Sequence, residues 1–214
     1  MHDSLFPVFL KLETMTTLVV GAGQVGERKA LALLACGSKV FVVAPEATPT
    51  LLSHAAAGLL TLERRPFAPD DLVRFAPRLV FAATSDRRLN RVIAAAARAA
   101  GLFVNVADTP ELCDFYLPAV LARGPLKIAV SSGGAAPSLA KALRDELALQ
   151  VSPDWDGFLR LVAQARGGKS WQDLCPAKRE ALLDEARSLW FSGYREEATK
   201  RLNAHAFKNE ADDE

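Results

Sequence analysis

Three glycines in Gly21-Ala22-Gly23-Gln24-Val25-Gly26 stand at the spacing that brings a backbone against a diphosphate. The first permits a tight turn, the second leaves room for phosphate, and the third lets a helix pack closely on a strand. Gln24 and Val25 open that helix, whose unpaired N–H groups and partial positive charge attract an anion. Glu46, twenty residues past Gly26 and just after Pro45, offers a carboxylate to an adenosine ribose and so favours NAD over NADP. The alternative for Glu46 is a solvent-facing turn residue. Asp108 can exchange a proton beside a bound cofactor, or serve as an Asx turn or cap before Thr109-Pro110. Asp86 carries the same two readings.

Ser131-Ser132-Gly133-Gly134 sets hydroxyls and backbone N–H groups at a second helix start, suited to carboxylate or phosphate, or forms a plain Ser-capped turn. Arg28, Lys29, Lys141 and Arg144 can supply cations to an acidic substrate, although each also reads as a solvated helix residue. His2, His54 and His205 show no metal-ligand spacing. Cys36, Cys113 and Cys175 fit neither a disulfide framework nor a CxxC site and read as reduced thiols.

The elements that must hold these residues alternate. Residues 16–20 read as a strand and 24–36 as a helix closed by Gly37. The apolar run 40–43 reads as a strand covered on both faces. Helix 48–57 ends at Gly58, strand 59–63 follows, and 66–72 is a loop running into a short helix. Strand 79–83, ending at the pair Ala83-Thr84, precedes helix 87–100, Gly101 and strand 103–106. Such alternation makes a parallel, doubly wound α/β sheet whose ligands bind beyond the carboxyl ends of its strands. That rule selects 21–26, 44–46, 83–86 and 107–109.

After residue 110 the pattern changes. Residues 115–120 and 126–130 read as strands joined through Arg123-Gly124-Pro125. A helix then begins at Pro137, with Leu139, Leu143 and Leu147 on one stripe. Beyond Pro153 the chain reads helical, with Trp155, Phe158, Leu159 and Val162 on one face and Leu182, Ala186, Leu189 and Trp190 on another. The tail 209–214 reads as disordered.

The 214 residues are half hydrophobic and carry a net charge of +1, so no global field favours nucleic acid or an anionic membrane. The N-terminus lacks the basic region and apolar core of a signal peptide, and no uncharged apolar run is long enough to span a bilayer. The expectation is a cytoplasmic protein.

Read in order, Leu5-Phe6-Pro7-Val8-Phe9-Leu10, Val20 through Ala30, Ala83-Thr84, Asn105-Val106-Ala107-Asp108 and Ile128 through Pro137 resemble one family. It is the precorrin-2 dehydrogenase family, the N-terminal module of siroheme synthase, and the resemblance runs from residue 5 to about 150. It implies NAD-dependent oxidation of precorrin-2 to sirohydrochlorin. In many members it also implies ferrochelatase activity, with ferrous iron as a substrate; some members are dehydrogenases only. It implies a Rossmann-type parallel-sheet domain, a small α/β dimerisation segment and an all-helical C-terminal domain, in a homodimer. The expected boundaries are 1–112, 113–150 and 151–208. Asp108 matches the family's key aspartate, and Gly21, Gly23, Gln24, Val25, Gly26, Pro45, Glu46, Ala83 and Thr84 fall at its cofactor contacts. Ser131 to Gly134, Arg28, Lys29 and Lys141 would meet the polycarboxylate tetrapyrrole, and Ser132 matches a serine phosphorylated in some members. The macrocycle's own nitrogens ligate the iron, so no protein metal cluster is expected. No methyltransferase segment follows, so the chain reads as a stand-alone module. The competing reading is an NAD(H)-sensing regulatory module, which would have no need of Asp108 or of Ser131-Ser132-Gly133-Gly134.

Overall fold

The computed structural model describes residues 5–204; His2, His205 and the tail expected at 209–214 lie outside the described residues. The chain divides into two compact units, one ending at Leu117 and the other starting at Pro118.

The first unit is built on β1 (Thr16–Ala22), β2 (Lys39–Ala47), β3 (Thr61–Glu63), β4 (Leu79–Ala82) and β5 (Phe103–Val106). All pair in parallel, in the order β3-β2-β1-β4-β5. The order reverses between β1 and β4, which opens a crevice at their carboxyl ends. Helices α1 (Gln24–Ala35), α2 (Pro49–Ala56), α3 (Asp70–Phe75) and α4 (Arg87–Ala99) make the crossovers. Alternate strand residues feed opposite faces of the sheet. Val19, Val42 and Phe81 pack with Ala30, Leu33 and Leu51 on one side. Leu18, Val20, Val43, Val80 and Val104 pack with Ile93 and Ala97 on the other. Burial on both faces is why these strands read as continuous apolar runs.

The second unit begins with an antiparallel hairpin, β6 (Ala119–Arg123) and β7 (Leu126–Val130), turned by Gly124-Pro125. The first of these strands starts four residues later than the sequence suggests. Phe115 belongs instead to the first unit, its ring edge-on to Phe81 at 5.6 Å between centroids. Pro118, just before the strand, has no N–H to donate to a ladder.

Helices α5 (Pro137–Gln150), α6 (Trp155–Arg166), α7 (Lys169–Gln172), α8 (Pro176–Phe191) and α9 (Arg195–Asn203) follow. Arg123 reaches the end of α5, donating to the Val151 carbonyl at 3.2 Å and the Ala148 carbonyl at 2.9 Å. Phe158, Val162, Ala165, Trp171, Ala186 and Leu202 form a core flanked by Trp155, Leu182 and Trp190. The Leu139-Leu143 stripe of α5 does not join that core. Leu139 is 67% and Leu143 47% exposed, while Ala140 is the buried residue of the helix.

Candidate active site

The glycine loop lies at the crevice. Gly21 has φ +102°, and a Cβ there would collide with the Ala83 carbonyl and come within 2.8 Å of the Thr84 nitrogen. Gly26 is buried where α1 crosses β1, and a Cβ on it would collide with the Gly21 carbonyl. Gly23, between them, faces open space. Gly23 is also the residue before α1 and supplies no side-chain cap, whereas Thr48 caps α2 and Asp86 caps α4. The first helical bond runs from the Glu27 N–H to the Gly23 carbonyl at 2.8 Å. The N–H groups of Gln24, Val25 and Gly26 therefore have no intrahelical partner and face the crevice end of the sheet.

Pro45 and Glu46 sit on an irregularity in β2. Val20 pairs with Val43 and Ala22 with Ala47, so Ala44, Pro45 and Glu46 oppose Gly21 alone. The extra length pushes Pro45 and Glu46 out, exposed, beside the glycine loop.

After β4, Ala83 is buried and its N–H donates to the Val20 carbonyl at 2.8 Å. Thr84 is gripped by Asn90, a residue that sequence reasoning passed over. Its signal was a polar residue on the apolar stripe of α4, in line with Ile93, Ala94 and Ala97.

Asp108 stands on the same sheet edge, after β5, exposed and with φ +55°. Asp is among the few residues that visit this left-handed region. The two aspartates left ambiguous by sequence separate here. Asp86 accepts from the Arg88 and Leu89 N–H groups at 2.8 and 3.3 Å and is a helix cap. The 3₁₀ turn Pro110–Leu112 has Thr109 before it and no side-chain cap, so Asp108 does not cap it.

Arg28 is exposed, but Lys29 is half-buried and donates to Asn105 Oδ1 at 2.8 Å. Burial, then the neighbouring Arg28, lowers its proton affinity, opposed by Cys113 and Asp108. Burial likewise pushes the Cys113 thiol up.

In the second unit Ser131 is exposed and its Oγ accepts from the Gly133 N–H at 3.2 Å. Ser132 is half-buried, with Oγ accepting from the Ala136 N–H at 3.0 Å. Gly133 and Gly134 both have positive φ, Lys141 is exposed, and Arg144 pairs with Asp145 at 2.7 Å. Among the described residues there is no cluster of metal-ligating side chains, and no helix is long and apolar enough to cross a membrane.

Residues 8–119 match the family model described as "Putative NAD(P)-binding". The chain belongs to this NAD(P)-binding family. Residues 123–150 match the model described as "Sirohaem biosynthesis protein central". The siroheme synthase of Methylococcus capsulatus is 42% identical over 160 residues, 75% of this chain and 33% of that protein. That of Chromobacterium violaceum is 42% identical over 185 residues, 86% of this chain and 37% of that protein. The chain thus spans about a third of the length of the curated relatives it matches. Among solved structures, "SirC, precorrin-2 dehydrogenase" covers 94% of this chain and 100% of its own, with a TM-score of 0.76 at 22% identity. That is a likeness of fold, and it spans both units of this family member.

Proposed function

We propose that this chain oxidises precorrin-2 to sirohydrochlorin with NAD, in siroheme biosynthesis. One observation carries the reading: Asp108 projects, uncommitted to any cap, from the same sheet edge as the open Gly23 and the uncapped start of α1. The names of the siroheme synthase relatives and of the SirC neighbour support the same substrate. A purely sensing NAD(H) module would not call for Asp108 at this edge.

The residues fit the cofactor. Open space over Gly23 and unpartnered N–H groups at Gln24 and Val25 suit a diphosphate, and exposed Glu46 suits the two hydroxyls of an adenosine ribose. Ala83 and Thr84 close the crevice opposite Gly21. Bound NAD supplies the two-electron oxidant. Asp108, an exposed carboxylate at the crevice edge, would take the proton released from the macrocycle. Arg28 in the first unit offers a cation suited to a substrate carboxylate, and in the second unit Lys141 and the turn Ser131 to Gly134 offer donors of the same kind. Phosphorylation of Ser132 would add negative charge at that turn and oppose a carboxylate.

The same reading includes ferrous iron as a second substrate, inserted into sirohydrochlorin with Asp108 taking the pyrrole protons. It includes a cytoplasmic homodimer with a cofactor domain over 1–112, a dimerisation segment over 113–150 and a helical domain over 151–208. The exposed Leu139 and Leu143 suit contact with a second copy.

Incubation of the purified chain with precorrin-2 and NAD, followed by ferrous ion, tests this by absorbance. The expected result is NADH formation, lost in Asp108→Ala while NAD binding persists. Full activity in that variant would sink the role given to Asp108, and no NADH from the wild type would return the sensing module as the better reading.

A further inference from the structure

We propose that Lys29 is a positioning residue for Asp108, acting through Asn105 rather than as a free cation for substrate carboxylates. Its Nζ donates to Asn105 Oδ1 at 2.8 Å and lies 5.4 Å from the centre of the Phe81 ring. Asn105, 6% exposed, turns its amide nitrogen the other way. Nδ2 donates to the Phe115 carbonyl at 2.9 Å and meets Cys113 Sγ at 3.6 Å. Cys113 in turn donates to the Val106 carbonyl and accepts from the Val106 N–H, both at 3.2 Å. One side-chain amide therefore links α1 to the far end of the segment 107–115 on which Asp108 rides.

That segment needs holding. Asp108 has φ +55°, a conformation that persists where surrounding contacts enforce it. The preceding residue, Ala107, is tied to the sheet through its N–H, which donates to the Ala82 carbonyl at 2.9 Å. Beyond Asp108 the chain returns to the sheet through Cys113, Asp114 and Phe115, and Lys29 reaches this return path through Asn105. A hydrogen bond from an ammonium is stronger than one between neutral groups, which suits Lys29 to the task.

Charge points the same way. The titratable groups facing Lys29 are Arg28 on its own helix, and Cys113 and Asp108 from the segment after β5. Among the described residues Lys29 makes no ion pair, and Asp108 is the carboxylate acting on it. This half-buried positive charge adds an electrostatic pull toward the segment that carries Asp108. Burial and Arg28 lower the proton affinity of Lys29, so its charge is lost at a lower pH than for an exposed lysine. Arg28 remains the solvent-facing cation.

The kinetic half of this inference rests on the proposed dehydrogenase activity, and the structural half does not. Lys29→Met and Lys29→Arg in the full chain test both. Amide hydrogen exchange over 106–114 should be about tenfold faster in K29M, from loss of one charge-assisted bond, and near wild type in K29R. With precorrin-2 and NAD, kcat should fall roughly ten- to a hundredfold in K29M, as expected for a misplaced catalytic group. The alkaline limb of the wild-type rate profile should move to higher pH in K29R, because a guanidinium keeps its charge. Unchanged exchange in K29M, or an alkaline limb that stays put in K29R, overturns the proposal. If exchange responds but the wild type forms no NADH, the tether stands and the dehydrogenase reading fails instead.

Discussion

Asn90 Oδ1 lies 3.2 Å from the backbone nitrogen of Thr84 and 2.7 Å from its hydroxyl, while Asn90 Nδ2 donates to the Thr84 carbonyl at 3.0 Å. A single carboxamide thus holds both polar ends of one residue, and it does so from inside α4, where Asn90 is 3% exposed. The loop it fixes is the one that closes over Gly21.

Asn90→Ala should therefore weaken NAD binding by about tenfold, since the Thr84 backbone loses a partner costing about 1–3 kcal/mol to replace. Isothermal titration measures this. Asn90→Asp keeps the acceptor and loses the donor, and should fall between. Wild-type affinity in the alanine variant would mean the loop is held by the sheet alone.

Gly21 and Gly23 should fail in different ways. An alanine at 21 meets both a positive φ and the Ala83 carbonyl, so Gly21→Ala should lower folding stability by at least about 2 kcal/mol. A Cβ at 23 meets nothing within 4 Å, so Gly23→Asp should leave the denaturation midpoint nearly unchanged while abolishing NAD binding. Urea titration paired with cofactor titration separates the two. A stable Gly21→Ala protein would contradict the packing described above.

Asp71, 2% exposed, accepts from Arg65 at 2.9 Å and from the Ala68 N–H at 2.9 Å. Burial pushes its proton affinity up, but the Arg65 bonds, the Ala68 N–H and nearby charge outweigh that, so the net effect is a carboxyl below the ordinary range. A carboxylate lowered on folding contributes stability at pH above its unfolded value and loses it as pH falls through the folded value. Asp71→Asn should cost about 2 kcal/mol at pH 7, and the gap from wild type should close in strong acid. Urea midpoints at pH 7 and at pH 3 check this, and a constant gap would place the cost in packing rather than charge.

Leu139 and Leu143 make an apolar stripe that the second unit leaves outside its own core. Replacing both with Glu should convert the proposed dimer to a monomer in sedimentation velocity. Because both are exposed, the cost to the fold of the chain itself should stay within about 0.5 kcal/mol each. A wild type already monomeric at micromolar concentration would remove the second copy as the occupant of this face.

Local chemistry explains what was legible in the residues alone. Glycine spacing, apolar runs of strand length and caps act over a few neighbours, so the alternation of β1 to β5 with helices could be read directly. The carboxyl-end rule then placed Gly21 to Gly26, Pro45-Glu46, Ala83-Thr84 and Asp108 on one edge, because a parallel sheet puts the ends of all its strands together. Tertiary packing decided the rest. Asp86 and Asp108 each follow a strand, yet only the folded chain shows one capping a helix and the other held at a left-handed turn. Leu139 and Leu143 have the spacing of a core face, but the core of α6 to α9 closes without them. Lys29 and Asn105 are 76 residues apart, and Asn90 reaches back six residues to Thr84 across a loop. Contacts of that kind depend on where two elements stop and how they cross, which no periodicity within one element records.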